Sequence, residues 1–325
     1  MKFAVIGAGA IGGLLAVSLA RAGEDVSVVA RGAHLAAIRG QGLRLLDASG
    51  DHTARVAASD RLADLGPQDC LVLGVKAHQV ADVAADVAAA LGPETCILTA
   101  QNGVPWWYFC KIGGAHEGRR LESVDPGGRI AALLPAERLI GSVAYPAGEI
   151  AAPGVIRHVE GNRFTLGELD GTTTARVTAL SQALQRAGFK APVVADIRSE
   201  IWMKLWGNAT FNPVSALTRA LLDHICSYPP SYALIAAMMA EVRAVGEAHG
   251  AKFRLSIEKR IAGAEAIGAH KTSMLQDIEA GRAPEIDALV GAVIEMARLV
   301  GTPTPRLETV YALVKLLTDR PGQSA

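Results

Sequence analysis

The sequence predicts an α/β protein in which an N-terminal domain with a doubly wound parallel sheet is followed by an all-helical C-terminal domain. Short apolar runs alternate with helical segments in the first part of the chain, which is typical of parallel sheets with helical crossovers. Beyond Asp196 we predict only long helical runs, at 197–211, 230–249, 254–268 and 286–300. The boundary is therefore placed near residue 195, with domains over 1–195 and 196–325.

Composition and charge exclude several classes of partner. The 325 residues include 32 Lys+Arg and 32 Asp+Glu, so the formal net charge is zero. A nucleic-acid or lipid-surface binder would normally carry a basic excess or a basic cluster, so we expect neither partner. Hydrophobic residues make up 50% of the chain, which is ample for two cores. No stretch of about 20 residues is apolar enough to span a bilayer.

The cysteines are scattered, without a C-x-x-C pair and without a histidine at a spacing typical of zinc ligands. We therefore expect reduced thiols, no metal site and a cytoplasmic protein. The four cysteines are Cys70, Cys96, Cys110 and Cys226. The PGQSA segment after Arg320 is expected to be a frayed tail.

The N-terminal segment has the pattern of a dinucleotide-binding unit. An apolar strand at 2–7 leads into GAGAIG at 7–12, which opens an Ala/Leu-rich helix, and a second strand follows at 25–31. In this pattern the first glycine permits a tight turn, the second lets a pyrophosphate approach the backbone, and the third allows close helix–strand packing. The helix N-terminus then faces the phosphates. We predict a Rossmann-type domain whose cofactor-binding turn comprises Gly7, Ala8, Gly9, Ala10, Ile11 and Gly12.

The end of the second strand distinguishes the two nicotinamide cofactors. An Asp or Glu that binds the ribose hydroxyls of NAD usually stands here, whereas in this chain Ala30 is followed by Arg31. The missing acid and the added guanidinium favour the extra phosphate of NADP. The alternative is a solvated Arg31 without a ligand.

Two further strand ends carry polar residues. Buried strands are predicted at 70–76 and 95–103, separated by a helix. Ligands of such sheets bind at the carboxyl ends of the strands. Lys76, Gln79 and the QNG run at 101–103 are therefore placed at the mouth of the cofactor crevice, with exposed polar residues that bind nothing as the alternative.

The segment 104–129 departs from the alternating pattern. It contains two adjacent tryptophans, a tyrosine, a phenylalanine and five glycines, and we expect a long excursion rather than a sheet element. Loops of this length are usually functional or disordered, and the aromatics argue against disorder. A lid over the site, an oligomer contact and a packing insertion are all open. Strands are predicted beyond it at 138–146, 154–159 and 163–168.

A polar stripe crosses the otherwise apolar helix at 199–213. Lys204, Asn208 and Asn212 are spaced four residues apart, so they share one helical face. A buried lysine is unfavourable unless it has partners or a function. If this helix starts the second domain at the dinucleotide site, the stripe faces the nicotinamide. The alternative is a lysine that reaches solvent and asparagines that pair locally.

A second polar cluster lies at 271–287. Ser273, Asp277 and Glu285 flank a short apolar turn and a G-R-A-P break, and Glu285 is expected to open the next helix. Acids that merely complement helix dipoles are an equally good explanation.

These motifs together resemble the ketopantoate reductase (2-dehydropantoate 2-reductase) family. The resemblance covers nearly the whole chain and rests on GAGAIG, VKAHQ at 75–79, QNG, K-x-x-x-N-x-x-x-N at 204–212, and SMLQD with EID at 273–287. It implies NADPH-dependent reduction of 2-dehydropantoate to pantoate, on the route to pantothenate, or of a closely related 2-oxo acid. The alternatives are another β-hydroxyacid-type NADP dehydrogenase, because K-x-x-x-N is shared with such relatives, and a non-catalytic NADP-binding regulatory protein.

The resemblance also implies a role for each matched residue. Lys204 would be the proton donor, and Glu285 its acidic partner near the substrate hydroxyl. The residues implied to hold the polar groups of the substrate are Asn102, Asn208, Asn212 and Ser273. The residues implied to bind NADP(H) are those of the glycine turn together with Arg31, Lys76, Gln79 and Asn102. The implied partner is a small 2-oxo acid, and a homodimer is left open.

Two features depart from the family pattern. His270 stands three residues before Ser273, where the family often has an asparagine for the substrate, and the segment 104–129 is longer than in compact members. Both features lie where substrate identity would be decided, so they bear on which 2-oxo acid is bound.

Overall fold

The structure is a computed structural model that describes residues 1–319 and divides into two compact units. The first unit comprises Met1–Gln101, Trp106–Arg120 and Gly127–Ile197. The second comprises Asn102–Pro105, Leu121–Pro126 and the chain from Arg198. The chain thus passes between the units several times, whereas the sequence predicts one boundary near 195. The predicted tail after Arg320 lies outside the described residues.

The strands of the first unit range from apolar runs, such as KFAVI at 2–6, to polar segments, such as GDHTA at 50–54. They are β1 (Lys2–Ile6), β2 (Asp25–Val29), β3 (Leu43–Asp47), β4 (Gly50–Ala54), β5 (Ala57–Ser59), β6 (Cys70–Leu73), β7 (Cys96–Thr99), β8 (Leu139–Ala144), β9 (Ala147–Ala152), β10 (Val155–Glu160) and β11 (Phe164–Gly167). Within the described residues they form a seven-stranded sheet, ordered β11-β8-β7-β6-β1-β2-β5, and a four-stranded sheet, ordered β4-β3-β10-β9. The larger sheet is parallel except where β11 pairs with β8. The predicted α/β fold is confirmed.

The helices of the first unit are α1 (Ala10–Arg21), α2 (Gly32–Gln41), α3 (Val80–Ala89), α4 (Arg129–Leu133) and α5 (Ala175–Arg186). Every residue of β6 and β7 is buried, as expected for central strands of a parallel sheet that is covered on both faces. The chain runs outward from β1 to β2 and β5, then returns to β6 on the other side of β1. The strand order therefore reverses between β1 and β6, which is the point where open parallel sheets bind ligands.

The four-stranded sheet contains a strand that the sequence pattern does not predict. The residues of β9, AGEIAA, are half-buried or exposed, so no hydrophobic alternation marks them. Strands β9 and β10 nevertheless pack against α1, which also contacts β1. A Cβ at Gly13 of α1 would meet the Ile156 side chain at 2.6 Å, so this glycine permits the close approach of α1 to β10.

The aromatic residues of the segment 104–129 are core residues. Trp106, Trp107, Tyr108 and Phe109 are at most 6% exposed, and the Tyr108 and Phe109 rings meet edge to face with centroids 5.0 Å apart. The Trp107 ring packs against Gly141 of β8, where a Cβ would approach it to 2.8 Å. Of the three open interpretations, the structure supports a packing insertion for these aromatics, because buried rings present no lid or contact surface.

The second unit is helical. Its helices are α6 (Ile197–Thr218), α7 (Leu222–Ser227), α8 (Pro229–Ala248), α9 (Ile257–Glu265), α10 (Ser273–Glu279), α11 (Ala292–Leu299) and α12 (Pro305–Thr318). A π-helical turn, Asp287–Gly291, leads into α11. The long helix α6 is anchored by Trp206, whose indole Nε1 donates to the Met239 carbonyl at 2.8 Å and whose ring packs edge to face on Phe253. The polar stripe of the sequence therefore lies on a rigidly packed helix.

Candidate active site

The glycine turn lies at the reversal point of the large sheet and is built from glycines that pack tightly. Gly7 has a φ of +92°, which favours glycine, and a Cβ there would meet Val75 at 2.7 Å. A Cβ on Gly12 would overlap the Gly7 carbonyl oxygen. Gly74, which follows β6, approaches the same carbonyl, since its Cβ would lie 2.6 Å from the Gly7 oxygen. These three glycines let β1, α1 and the end of β6 meet.

Gly9 differs from its neighbours because the space above it is open. A Cβ built on Gly9 meets no atom of the described residues within 4 Å. Gly9 is also the N-cap of α1, with extended backbone, and no described side chain caps the helix there. A helix N-terminus presents backbone N–H groups and a partial positive charge, which suit a phosphate. This open cradle at the end of β1 fits the pyrophosphate of a dinucleotide.

Arg31 stands where the second strand gives way to α2. It is the N-cap residue of α2, it is exposed, and the first turn of the helix reads GAHL, without an acid. The positive end of the helix dipole and the guanidinium therefore coincide at this position. The site offers a cation and a helix N-terminus where an NAD-specific protein would carry a carboxylate.

Lys76 and Gln79 lie beyond the end of β6 and interact with each other through the backbone. The Lys76 backbone N–H donates to Gln79 Oε1 at 3.2 Å, so Gln79 caps the short 3-10 turn Ala77–Gln79. Lys76 is half-buried, whereas Gln79 is exposed. Nearby, the amide of Gln101 donates to the carbonyls of Leu73 and Val75 at 2.6 and 3.1 Å, which ties the end of β7 to that of β6.

In the second unit, one asparagine links the two ionisable residues that the sequence singles out. Lys204 Nζ donates to Asn102 Oδ1 at 2.6 Å, and Asn102 Nδ2 donates to Glu285 Oε2 at 3.4 Å. Burial lowers the pKa of the Lys204 ammonium to about 8, and the negative charge of Glu285 opposes that shift. A lysine with a pKa near neutrality can give up its proton readily, which suits a general acid.

Asn102 is held in place by its neighbours. The Val104 backbone N–H donates to the Ala288 carbonyl in the π-helical turn at 2.9 Å. Gly103 has a φ of +89°, and a Cβ there would lie 2.5 Å from the same carbonyl oxygen. The segment Asn102–Pro105 is therefore packed directly on the π-helical turn that follows Glu285, and π-helical turns recur at functional sites.

The remaining residues of the stripe lie on the same face of α6. Asn212 is buried and its amide donates to Ser273 Oγ at 3.4 Å, which joins α6 to the start of α10. Asn208, between Lys204 and Asn212, is half-buried. Half-buried His270 accepts a hydrogen bond from Leu222 N through its backbone carbonyl, at 3.1 Å. Asp277, in the second polar cluster, forms an ion pair with Arg282 at 3.0 Å.

Two residues that hold the glycine turn are not singled out by the sequence pattern. One is Gly74, whose only local signal is a glycine at the end of a buried strand. The other is His34, whose Nε2 lies 2.7 Å from the Ala8 carbonyl oxygen. A lone histidine in a helix carries no signal of that kind, because its partner lies 26 residues earlier in the chain.

Among residues 1–319, no helix combines the length and hydropathy needed to cross a bilayer. In the same part of the chain, no group of three or more His, Cys, Asp or Glu side chains is arranged to hold a metal ion.

The fold and the site define a class of protein. A parallel sheet with an open glycine turn at its reversal point is the scaffold of nicotinamide-dependent dehydrogenases and reductases, and the second unit adds a lysine of low pKa bonded to an amide. Residues 3–171 match the family "Ketopantoate reductase PanE/ApbA", and residues 196–318 match "Ketopantoate reductase PanE/ApbA C terminal". The chain belongs to this family, as the motifs predict, and it is an NAD(P)-dependent oxidoreductase.

Individual relatives are similar along their whole length. A 2-dehydropantoate 2-reductase of Mesorhizobium japonicum is 52% identical, with 99% of each chain covered. A crystal structure of a Ralstonia solanacearum MolK2 protein assigned as a ketopantoate reductase has a TM-score of 0.92 at 43% identity, covering 97% of both chains. The 2-dehydropantoate 2-reductase of Methylococcus capsulatus has a TM-score of 0.84 at 32% identity, covering 100% of this chain and 99% of its own.

Proposed function

We propose that the protein catalyses the NADPH-dependent reduction of 2-dehydropantoate to pantoate, with Lys204 as the proton donor. The observation that carries this proposal is the hydrogen-bonded chain from Lys204 through Asn102 to Glu285, in a member of the ketopantoate reductase family. The first unit would bind the cofactor, and the helical unit would supply the catalytic and substrate-binding residues. In this role the enzyme would serve pantothenate biosynthesis.

The chemistry follows from the charge that develops on the substrate. The reduced nicotinamide, when bound, supplies the hydride that reduces the 2-oxo carbon. Lys204 stabilises the negative charge on the carbonyl oxygen and transfers a proton from Nζ to it, which completes the hydroxyl group. Asn102 orients the ammonium, because its Oδ1 accepts one Nζ–H and directs the others away. Glu285 keeps the lysine protonated, since its charge raises the lysine pKa.

The other polar residues are assigned to binding. Asn208, Asn212 and Ser273 offer directional neutral hydrogen bonds to the hydroxyl and carboxylate groups of the substrate. The pyrophosphate would be held by the backbone of the glycine turn from Gly7 to Gly12. The polar residues assigned to the rest of NADP(H) are Arg31, Lys76, Gln79 and Asn102.

A steady-state assay tests the substrate assignment. NADPH consumption is measured with 2-dehydropantoate and with a panel of 2-oxo acids that differ in branching and size. We expect kcat/KM to be highest for 2-dehydropantoate, because Asn and Ser donors placed for its hydroxyl would be left unpaired by analogues that lack that group. A higher kcat/KM for an unrelated oxo acid would favour another β-hydroxyacid-type dehydrogenase, and NADPH binding without turnover of any oxo acid would favour a regulatory protein.

Replacement of Arg31 tests the cofactor assignment. Arg31→Ala removes a charge-assisted hydrogen-bond donor from the 2′-phosphate, so we expect the Kd of NADPH to rise by about 10- to 100-fold. The Kd of NADH, which lacks that phosphate, should change little. Arg39→Ala on the same helix is the matched control, because Arg39 Nε donates to the Ala58 carbonyl, in β5, instead. Equal weakening of both cofactors by Arg31→Ala would contradict the preference for NADP.

The location is also a proposal: we place the protein in the cytoplasm, and its four free cysteines support a reducing compartment. A homodimer is left open. Light scattering of the purified protein measures the oligomeric state directly.

A further inference from the structure

His34 connects the glycine turn to a part of the molecule that lies far away in sequence. It lies in the first turn of α2, and its Nε2 is 2.7 Å from the Ala8 carbonyl oxygen. On the other side of the ring, the Gly154 backbone N–H donates to His34 Nδ1 at 2.9 Å. The imidazole thus bridges the turn after β1 and the bend between β9 and β10.

These two contacts determine the tautomer of His34. A backbone N–H can only donate, so Nδ1 must carry a lone pair and the ring proton must lie on Nε2. Nε2–H then donates to the Ala8 carbonyl. The ring is therefore neutral in this arrangement, with both nitrogens engaged.

The hydrogen bond to the Ala8 carbonyl oxygen fixes the orientation of the whole Ala8–Gly9 peptide group. The Ala8–Gly9 peptide is planar and trans, so its carbonyl and the Gly9 N–H point in opposite directions. Holding the Ala8 oxygen toward His34 turns the Gly9 N–H away from the imidazole. Glycines on both sides make this turn easy to deform, and a fixed carbonyl removes the freedom of the peptide to rotate.

We infer that His34 is a positioning residue for the cofactor: it locks the Ala8–Gly9 peptide so that the Gly9 N–H is presented to the pyrophosphate. This inference rests on the proposed NADP(H)-dependent function. Pre-organisation of a donor increases affinity, because the ordering is completed before the ligand arrives.

The four-stranded sheet serves as the support for this residue. Gly154 has a φ of +75°, and its carbonyl accepts a hydrogen bond from Arg44 N at 2.8 Å, which ties the bend to β3. A Cβ at Gly154 would approach the Ala37 Cβ on α2 to 2.9 Å. The bend is thus pressed against α2, which holds the Gly154 N–H within reach of His34.

Binding measurements on two variants test the inference. His34→Leu removes both hydrogen bonds, and we expect the Kd of NADPH to rise about 3- to 10-fold, the effect of one or two ordinary hydrogen bonds. The kcat at saturating NADPH should stay at the wild-type value, since His34 does not touch the reacting atoms. His34→Gln, whose amide has one donor end and one acceptor end, should recover much of the affinity.

A second ligand separates positioning from general damage. Adenosine 2′-monophosphate lacks the pyrophosphate, so its Kd should be the same for wild type and His34→Leu. An unchanged NADPH Kd in His34→Leu, or an equal loss for both ligands, would overturn the inference. If His34→Leu does not fold, His34→Asn takes its place, because its shorter side chain cannot span both partners. Failure of the wild-type protein to bind NADPH would instead refute the proposed function.

Discussion

Lys204→Met is expected to lower kcat for 2-oxo acid reduction by about 10²- to 10⁴-fold, the range measured for loss of a general acid. Methionine fills a similar volume but has no proton to transfer and no charge to stabilise the developing oxyanion. The Kd of NADPH should remain within about twofold of wild type, because the lysine acts on the reacting carbonyl rather than on the cofactor phosphates. Stopped-flow reduction assays and fluorescence titration measure the two quantities.

The matched control is Lys259→Met, which changes an exposed lysine on α9 of the same unit. It should leave kcat unchanged. Lys204→Arg keeps the positive charge, but it should be as inactive as Lys204→Met, because a guanidinium does not release its proton in this pH range. Wild-type kcat in Lys204→Met would eliminate the lysine as proton donor.

The same lysine sets an expected pH dependence. The donor must be protonated, and the pKa of Lys204 is about 8, so kcat for reduction should be constant below that pH and fall above it. Glu285 raises the lysine pKa, so Glu285→Gln should move the falling limb to lower pH. A limb that does not move in Glu285→Gln would contradict this coupling.

The buried charge of Lys204 also affects the stability of the folded protein. The folded-state pKa of Lys204 lies below its ordinary value, so below pH 8 the charged lysine is less favourable in the folded state than in the unfolded state. That penalty decreases as the pH rises through the folded pKa. Lys204→Met should therefore have a free energy of unfolding at pH 7 equal to or higher than that of wild type, and thermal unfolding can check this.

Gly9→Ala and Gly12→Ala are expected to change different properties: the first weakens NADPH binding, and the second lowers the stability of the fold. The Cβ of Gly9→Ala meets no described atom within 4 Å and the φ of −70° suits alanine, so the melting temperature should fall only slightly, by the poorer N-cap that alanine provides. The methyl group would occupy the space through which a phosphate approaches, so the Kd of NADPH should rise by at least about tenfold, as the loss of charge-assisted bonds requires. Calorimetry measures both effects on one preparation.

Gly12→Ala should instead damage the fold. Its Cβ would overlap the Gly7 carbonyl oxygen, a backbone atom that cannot move independently. We expect a loss of about 1–3 kcal/mol in the free energy of unfolding, typical of overpacking. Gly40→Ala, in α2 with no described atom near its Cβ, is the control and should be neutral or stabilising. Loss of stability in Gly9→Ala without loss of NADPH binding would reverse the roles given to the two glycines.

Much of the secondary structure of the first unit can be predicted from local sequence patterns. The strand, the glycine turn and the helix follow one another along the chain, so their residue types suffice to predict them. Strand β9 is the main element that the sequence does not predict. Apolar and polar residues do not alternate in it, and its position is decided by pairing with β10. The buried aromatics near Trp107 show the same limit: composition indicates an ordered segment, but only packing shows that the rings are core.

The sequence by itself determined which side chains share a helix face or follow a strand, since both depend on periods of a few residues. It therefore placed Lys204, Asn208 and Asn212 together and marked the open glycine turn. Only the tertiary structure decided that Asn102 joins Lys204 to Glu285, across 102 and 183 residues of sequence, and that His34 holds the Ala8–Gly9 peptide. The physical reason is that such hydrogen bonds depend on how elements distant in sequence pack together, and the local periodicity of the sequence does not determine that packing.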